Sequence, residues 1–345
     1  MKTLGLRNMK RARSINVQAD QLVTYGTLKE GQPVPCLVQP KVQGIDIVSW
    51  AGGHKSEIED KLATHGGLLF RGFDVSDPGI LEKLIIVISG ELLTYKERSS
   101  PRVAVAGNIY TSTEHPQDQH IFLHNENSYQ KIWPMKLFFM CAIAPQARGE
   151  TPIADCRNIL QNIDPEVIAR FEEKRFQIVR NYHFGIGLPW TTVFGTQDRD
   201  EVDAYCADHD IQTKWKRDGS LRTITIRNAT AHHPKSGEKV WFNHGTFFHV
   251  TTLEPELATR LQQQLAPEDL PTNTFYGDGT PIEADVLDHI RQVYQEETIL
   301  FPWQKGDVLL LDNMLCAHGR SPFEGERRIL VAMAEAMSAA QLPKH

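Results

Sequence analysis

Short strand-like runs, each closed by glycine, proline or polar turn residues, constrain the fold of this chain more than any other feature. Their apolar, β-branched and aromatic residues are typical of strands. The runs span residues 67–73, 137–141, 221–226, 240–243 and 328–333. Many short strands separated by turn residues are typical of a sandwich or a barrel. The sequence therefore predicts a mainly β protein whose core is closed or doubly layered.

Helices are expected between these strands. Asp164, which is followed by a proline, is typical of a helix start. Asp198 with Glu201 resembles a capping box for a second helix. Apolar residues at helical spacing predict two more helices, over residues 254–265 and 283–296. We interpret these helices as insertions and covers around a β core.

Composition limits the classes of partner. The chain has 345 residues and a formal net charge of −6, so it can bury a sizeable core and is not basic overall. That balance argues against nucleic acid as a partner, and the basic residues at positions 2–13 are interpreted as a solvated start. With no run of membrane-spanning length and no targeting pattern, we expect no membrane partner and a cytoplasmic location. The oligomeric state is not predicted.

The five cysteines are odd in number, widely spaced and without a C-x-x-C pair. This pattern argues against a disulfide framework and against a thiolate zinc site. We therefore predict that all five are buried as small apolar residues: Cys36, Cys141, Cys156, Cys206 and Cys316.

His124 and Glu126 stand two residues apart after the apolar run at residues 121–123. On an extended strand, side chains at i and i+2 point to the same face, so both could bind one metal ion. His318 lies just beyond the continuous apolar run at residues 308–311, which is typical of a buried strand. Two imidazoles and one carboxylate form the ligand set of non-heme Fe(II) oxygenases. These residues therefore predict a metal site built from distant parts of the sequence.

Four other histidines compete as metal ligands but have no carboxylate two residues away: His232, His233, His244 and His249. We interpret them as structural residues, with His244 or His249 as candidates to line the pocket.

Arg327 and Arg328 lie shortly after His318 and lead into an apolar run. A guanidinium group can bind a carboxylate through two parallel hydrogen bonds, so an arginine near the metal suits a dicarboxylate cosubstrate. Because neighbours on a strand face opposite ways, only one of the two is expected to enter the pocket.

Several segments follow one another in an order that can be compared with known families. They are residues 69–73, His124-Asn125-Glu126, Gly149-Glu150-Thr151, Gly306-Asp307, His318-Gly319-Arg320 and the two terminal arginines. Over roughly residues 60–340, the chain resembles the TauD/TfdA family of Fe(II)/2-oxoglutarate-dependent dioxygenases. Within that family it is most similar to SyrP-like hydroxylases and, more loosely, to clavaminate synthase-like enzymes.

This resemblance implies a double-stranded β-helix, or jelly-roll, core in which His124, Glu126 and His318 bind iron. We expect a single catalytic domain over residues 1–345. Residues 1–35 are assigned to an N-terminal extension, and residues 36–345 to the jelly-roll core with its helical insertions.

The resemblance also implies a binding site for 2-oxoglutarate. In the family, a threonine and an arginine shortly after the distal histidine hold this cosubstrate. Thr151 and either Arg327 or Arg328 occupy those positions, and Arg327 is favoured. The turn before Thr151 departs from the family pattern because Arg148 stands where a glycine is usual, which leaves its conformation open.

The implied activity is hydroxylation of an unactivated C–H bond with Fe(II), 2-oxoglutarate and O2. Related halogenases lack the carboxylate found here at Glu126, so this residue favours hydroxylation over chlorination. The similarity to SyrP-like enzymes implies a small polar substrate in specialised metabolism, such as an amino acid that is free or tethered to a carrier protein. Asn125 and Tyr129 are close enough in sequence to the ligand pair to contact it.

Two alternatives remain open from the residues. The same site could catalyse desaturation or cyclisation. A jelly-roll protein could also bind a metal without oxygenase chemistry, in which case an arginine near the distal histidine would not be needed.

Overall fold

A computed structural model of the chain describes residues 22–94, 104–112, 115–182 and 188–342. The basic positions 2–13 lie outside this part of the chain. The largest sheet contains eight strands in the order β1 (Val23–Lys29), β2 (Gln32–Pro40), β3 (Gly67–Phe70), β16 (Val308–Asp312), β7 (Ile132–Ile143), β19 (Arg328–Ser338), β5 (Ile109–Thr111) and β4 (Ala104–Ala106). Only β2 and β3 run parallel, and the other neighbours in the sheet are antiparallel.

The main sheet begins within the segment that the sequence assigned to an extension. The boundary expected after residue 35 lies inside β2, which pairs with β1 on one side and, through Cys36 and Leu68, with β3 on the other. Residues 23–35 therefore add to the sheet instead of preceding it. The assignment of the chain to one catalytic domain stays a prediction.

Strand β16 lies at the centre of the large sheet and is buried along its whole length. Leu310 pairs with Phe138 of β7 on one side and with Leu68 of β3 on the other. A strand with neighbours on both sides and both faces covered needs a continuous apolar run, which is what residues 308–311 supply. Arg71 binds the buried Asp307 through two nitrogens, which fixes the turn that precedes this strand.

A smaller sheet forms the second layer of the β core. It has the order β6 (Ile121–His124), β17 (Cys316–Arg320) and β9 (Ile153–Asp155). Two short strands form a separate pair, β8 (Ala147–Arg148), which precedes β9 in the chain, and β18 (Phe323–Glu324), which follows β17. Ile153 and Cys316 of the small sheet share one apolar cluster with Phe139 and Leu309 of the large sheet. The two sheets therefore enclose a common core, in agreement with the predicted two-layered architecture.

A third sheet, separate from these layers, has four antiparallel strands. Their order is β11 (Ile211–Trp215), β12 (Leu221–Arg227), β10 (Phe176–Tyr182) and β15 (Thr272–Tyr276). The hairpin of β13 (Thr230–His232) and β14 (Lys239–Trp241) follows in sequence. Phe176 and Ile178 of β10 pack in the same apolar cluster as Leu123 and Tyr129, so this sheet covers the chain near the predicted ligand pair.

Helices lie between the strands throughout the described residues. They are α1 (Ile47–Gly53), α2 (Lys55–His65), α3 (Pro78–Ser89), α4 (Cys156–Asn162), α5 (Pro165–Lys174), α6 (Trp190–Phe194), α7 (Arg199–Asp208), α8 (Pro255–Gln264) and α9 (Ala284–Glu296). The four predicted helices correspond to α5, α7, α8 and α9. The predicted capping box at α7 is wrong, because the Asp198 side chain accepts from the Asp200 N–H and the Glu201 carboxylate accepts from the Thr196 hydroxyl.

The five predicted strand runs overlap β3, β7, β12, β14 and β19, with shifted ends. All five cysteines are buried and free, as predicted. None of the helices in the described ranges combines the length and the apolarity that crossing a bilayer requires.

Candidate metal centre

The structure brings His124, Glu126 and His318 together. One ligand atom from each lies within 4.8 Å of the others. His124 and His318 are direct partners across the β6–β17 ladder, and their ring centroids are 4.5 Å apart. The Nε2 atom of His318 lies 3.7 Å from the Oε2 atom of Glu126, which is too long for a hydrogen bond. Since two bonds of about 2.1 Å to one ion can span such a gap, the spacing suits a shared metal.

The close approach of β6 and β17 depends on Gly319, the residue after the distal histidine. A Cβ atom at this position would lie 2.6 Å from the Ile121 carbonyl oxygen, closer than side-chain carbons approach such an atom. A glycine therefore allows the two strands to carry their histidines side by side.

Glu126 does not lie on strand β6 with His124. The expectation that His124 and Glu126 share one face of an extended strand is therefore wrong. Strand β6 ends at His124, and Glu126 lies in the turn that follows. The buried Asn313 side chain holds this turn, because its Oδ1 accepts from the Glu126 N–H at 2.7 Å and its Nδ2 donates to the Glu126 carbonyl at 2.8 Å. The same Nδ2 also donates to the Pro134 carbonyl. Asn313 thus positions the carboxylate, a role that the sequence analysis missed.

The orientation of each imidazole suits a metal. The Nδ1 atom of His124 lies 2.9 Å from the Phe122 carbonyl oxygen, so that nitrogen carries the proton and Nε2 remains available as a ligand. Glu126 and His318 are both buried, and the Nδ1 atom of His318 has no hydrogen-bond partner among the described residues. Burial of a carboxylate is costly, and a cation bound at Glu126 would offset part of that cost. The donor set therefore fits a non-heme iron site.

A cavity extends from His124 and His318 to Arg327 and Thr151. Its walls also include the apolar side chains of Ile121, Phe139, Ile329 and Val331. The two histidines of the candidate metal site thus line the same cavity as Thr151 and Arg327.

Of the two candidate arginines, Arg327 is the one that lines this cavity. Its Nε donates to the Gly149 carbonyl at 2.8 Å, and its Nη atoms donate to the hydroxyls of Thr151 and Ser112. These acceptors are neutral, and the described carboxylates form no ion pair with the guanidinium. Burial, together with the charge of Arg320, lowers the pKa of Arg327 to about 10, which still leaves it protonated at neutral pH. A buried cation next to a metal site suits the distant carboxylate of a dicarboxylic acid.

Arg328 does not enter the cavity, which corrects its inclusion among the cosubstrate residues. Its side chain is exposed, and the pairing of β19 with β7 shifts between Arg328 and Ile329. Arg327 lies just before this strand and turns inward instead. The prediction that only one of the two arginines would face the pocket agrees with this arrangement.

Thr151 is buried, and the Trp303 indole N–H donates to its Oγ1 at 3.2 Å. Since that oxygen already accepts, its own proton can point toward a ligand in the cavity. The preceding turn contains two left-handed residues, Arg148 at φ +59° and Gly149 at φ +72°. Arg148 therefore adopts a conformation that glycine takes at no cost, which accounts for the usual glycine at that place.

Asn125 and Tyr129 occupy different surroundings from those expected. The buried Asn125 amide donates to the Asn313 carbonyl at 2.7 Å and to the Cys156 sulfur, so it is directed into the core and supports the ligand turn. Tyr129 is buried against the His244 and Phe248 rings. Neither Asn125 nor Tyr129 lines the cavity, and Tyr129 is connected to the candidate ligand His124 only through the His244 ring.

His244 and Phe247 pack against the His124 ring. Their rings lie 5.3 and 4.6 Å from the His124 ring, and His244 Nδ1 lies 2.7 Å from the Ser128 hydroxyl. Burial, followed by the neighbouring His124, lowers the pKa of His244 well below its usual value, so its imidazole is neutral. His249 lies elsewhere and caps a short turn through Thr251. Of His244 and His249, the two candidates to line the pocket, His244 is therefore the one that contacts a candidate metal ligand.

A jelly-roll core that carries a two-histidine, one-carboxylate site beside a buried arginine defines the non-heme oxygenase class. The sequence profile of the taurine catabolism dioxygenase TauD, TfdA family matches residues 30–333. The chain therefore belongs to this dioxygenase family, as predicted.

Among curated relatives, the dapdiamide synthesis protein DdaC of Enterobacter agglomerans is 39% identical over 308 residues, which cover 89% of this chain and 93% of DdaC. A clavaminate synthase-like protein of Arabidopsis thaliana is 29% identical over 324 residues, covering 89% and 95% of the two chains.

Solved structures confirm the predicted fold. PvcB, described as an Fe, alpha-ketoglutarate dependent oxygenase from an isonitrile synthetic pathway, superposes with a TM-score of 0.55 at 15% identity and covers 99% of this chain and 100% of its own. AAD-2 in complex with Mn(II) and N-oxalylglycine gives a TM-score of 0.52 at 14% identity, with coverages of 92% and 98%.

Proposed function

We propose that the protein is an Fe(II)- and 2-oxoglutarate-dependent hydroxylase of a small polar metabolite. The observation that carries this proposal is the convergence of His124, Glu126 and His318, whose two histidines line one cavity with Arg327 and Thr151. The membership of the dioxygenase family supports it, since that class consumes O2. The structural similarity to PvcB, which is described as an Fe, alpha-ketoglutarate dependent oxygenase, supports iron and 2-oxoglutarate as the cofactor and cosubstrate.

The roles of the residues follow from their contacts. His124, Glu126 and His318 would hold the iron, while Arg327 and the Thr151 hydroxyl would bind the distant carboxylate of 2-oxoglutarate. When bound, the metal and the cosubstrate supply the oxidising chemistry that hydroxylates a C–H bond. Phe139, Ile329 and Val331 give the cavity apolar walls that exclude water. Glu126 occupies a ligand position that a chlorinating enzyme would leave for chloride.

The substrate is proposed as an amino acid or a related small metabolite, free or tethered to a carrier protein. The similarity to DdaC, whose name places that protein in dapdiamide synthesis, supports a role in specialised metabolism. Desaturation or cyclisation on the same site is the second candidate, because the same residues would serve all three outcomes.

Anaerobic titration with Fe(II) and 2-oxoglutarate tests the proposal. We expect a weak visible charge-transfer band in the wild-type protein and its loss in Glu126→Ala. Glu324→Ala, which removes an exposed carboxylate that is not part of the ligand set, is the matched control and should leave the band unchanged. A folded wild-type protein without the band would refute the assignment and favour a metal-binding jelly roll without oxygenase chemistry.

A further inference from the structure

The guanidinium group of Arg327 is held between two hydroxyl groups. Its Nη2 atom donates to Thr151 Oγ1 at 3.4 Å, and its Nη1 atom donates to Ser112 Oγ at 3.3 Å. Both hydroxyl residues line the cavity together with Arg327. Ser112 is thus a third polar residue at this end of the cavity, beyond the two that the sequence predicted.

The backbone holds Ser112 in this place. Ser112 directly follows β5, which pairs with β19, and its N–H donates to the Ile329 carbonyl at 2.9 Å. Because Ile329 is only two residues after Arg327, this bond keeps the serine beside the arginine. Thr151 comes from the segment before β9 of the small sheet. The two hydroxyls therefore reach the guanidinium from different layers of the core.

Each of the two hydroxyls keeps its own proton available. A serine or threonine hydroxyl donates one hydrogen bond and can accept two. Within the described ranges, Ser112 Oγ accepts from Arg327 and makes no other hydrogen bond. Thr151 Oγ1 accepts from Arg327 and from the Trp303 indole. Since both oxygens act as acceptors, both protons can point toward a ligand.

This end of the cavity therefore offers a ligand the arginine fork and two O–H donors. A carboxylate accepts through both of its oxygens, whereas a neutral amide would direct donors of its own at these groups. The contacts of Arg327 with Ser112 and Thr151, at 3.3 and 3.4 Å, are longer than the usual length of about 2.9–3.0 Å. Their exchange for short, charge-assisted bonds to a carboxylate would be favourable.

The second arginine of the cavity is engaged elsewhere. Arg320 also lines it, but its Nη atoms donate to three backbone carbonyls of residues 115–119. The Phe323 ring packs beside both guanidinium groups, with its centroid 5.4 Å from Arg320 Cζ and 5.6 Å from Arg327 Cζ. Packing on a ring face leaves the N–H groups at the edge of a guanidinium free to donate. The edge of Arg327 that faces the two hydroxyls is therefore the better anion receptor.

We propose that the Ser112 hydroxyl binds the distant carboxylate of the cosubstrate, so that Ser112 and Thr151 each donate to one carboxylate oxygen beside Arg327. This inference rests on the proposed function and deepens it, since the pocket becomes selective for a 2-oxo acid with a second carboxylate. A 2-oxo acid of equal length that ends in a methyl group gains nothing from these donors.

The test compares 2-oxoglutarate with 2-oxopentanoate, which has the same carbon chain without the distant carboxylate. Full-length Fe(II)-loaded protein is titrated anaerobically with each acid while the charge-transfer band is recorded. The thermal midpoint of the metal-free protein is measured with the same two acids. The variants are Ser112→Ala, Ser112→Cys, Ser112→Thr, Arg327→Met and the combination of Ser112→Ala with Arg327→Met. The control is Ser220→Ala, which removes a buried hydroxyl that donates to Asp218 just before β12.

Ser112→Ala should lower the affinity for 2-oxoglutarate about tenfold and leave that for 2-oxopentanoate unchanged, because only the first acid loses a hydrogen bond to a charged group. Ser112→Thr keeps the hydroxyl and should retain most of the affinity. Ser112→Cys keeps the size but not the strong donor, so it repeats the test if the alanine variant does not fold. Ser220→Ala should bind both acids as the wild type does.

The double variant separates direct binding from an effect through the arginine. If Ser112 contacts the carboxylate itself, adding Ser112→Ala to Arg327→Met should weaken the residual binding of 2-oxoglutarate about threefold or more. No further loss would show that the serine acts only by orienting Arg327, and the inference would be overturned.

Two other results also overturn the inference. One is binding of 2-oxoglutarate within about twofold of the wild type in both Ser112→Ala and Ser112→Cys, and the other is an equal loss for 2-oxopentanoate. Failure of the band to form in the wild type would instead refute the proposed function. In that case the thermal midpoint of the metal-free protein with 2-oxoglutarate still decides the role of Ser112, and a wild-type midpoint that this acid does not shift counts against it.

Discussion

Replacement of Arg327 by methionine should weaken 2-oxoglutarate binding strongly, whereas replacement of Arg328 should not. The two residues are adjacent and carry the same charge, so they form a matched pair that differs only in placement. Arg327 lies in the cavity with three hydrogen bonds to neutral oxygens, and Arg328 is exposed on the strand that follows. Methionine preserves much of the aliphatic volume and removes only the charged group.

The magnitude follows from the contact that would be lost. Truncation of one partner in a buried, charge-assisted pair costs about 2–5 kcal/mol, and 1.4 kcal/mol corresponds to a factor of ten. A loss of about 3 kcal/mol corresponds to an affinity for 2-oxoglutarate roughly a hundredfold lower. Arg327→Lys keeps the charge but not the fork, so it should fall between methionine and wild type.

The assay is anaerobic titration of Fe(II)-loaded protein with 2-oxoglutarate, followed by the charge-transfer band. Arg328→Met should titrate as the wild type does, within about twofold, because exposed charges contribute little. Equal effects at the two arginines, or no effect at Arg327, would show that the cosubstrate does not bind in this cavity.

Three further predictions follow from the site and its surroundings. Asn313→Ala should lower the free energy of unfolding by about 2–4 kcal/mol in urea titrations and weaken Fe(II) binding, because the Glu126 N–H and the Glu126 and Pro134 carbonyls lose their hydrogen-bond partner. An unchanged affinity for Fe(II) would contradict the positioning role of Asn313. Gly149→Ala should lower the free energy of unfolding more than Gly195→Ala, because both glycines have a positive φ but only a Cβ at Gly149 would meet Phe323 and Pro145 at 2.8 Å. The left-handed conformation alone costs about 1–2 kcal/mol in either variant. Equal losses of unfolding free energy would rule out the contact. Burial lowers the pKa of His249 from 6.5 to about 4, so as the pH falls the unfolded chain binds the proton first, and the stability present above pH 6.5 declines toward pH 4. His249→Asn should flatten this decline in the free energy of unfolding, measured by urea titrations between pH 6.5 and 4. An identical decline in the variant would show that other groups cause it.

Local sequence signals predicted much of the architecture. The apolar run at residues 308–311 is a central strand because both of its faces are covered, and α5 begins after Asp164 because the side chain accepts the Glu166 N–H. The helices α1 to α4 and α6 were not predicted. In α3 the apolar residues leave little contrast between its faces, so helical periodicity gives a weak signal there.

The residues of the candidate site could be named from the sequence, but their geometry could not. The residue types of His124, Glu126 and His318 indicated iron, since the ligand set has a known metal preference. The choice between Arg327 and Arg328 depends on where β19 begins and on its shifted pairing with β7. The clamp of Asn313 on Glu126 joins residues far apart in sequence, and no local pattern around either residue could reveal it.

The pairing of His124 with His318 across adjacent strands would also link capture of the proposed metal to chain closure. Strand β17 forms between β6 and β9, so the third ligand arrives only when the small sheet closes around it. A nascent or clipped polypeptide without that strand would lack the site, and ferrous iron would then be retained selectively by molecules that have completed their fold. The binding energy of such an ion would add to the stability of the closed form alone.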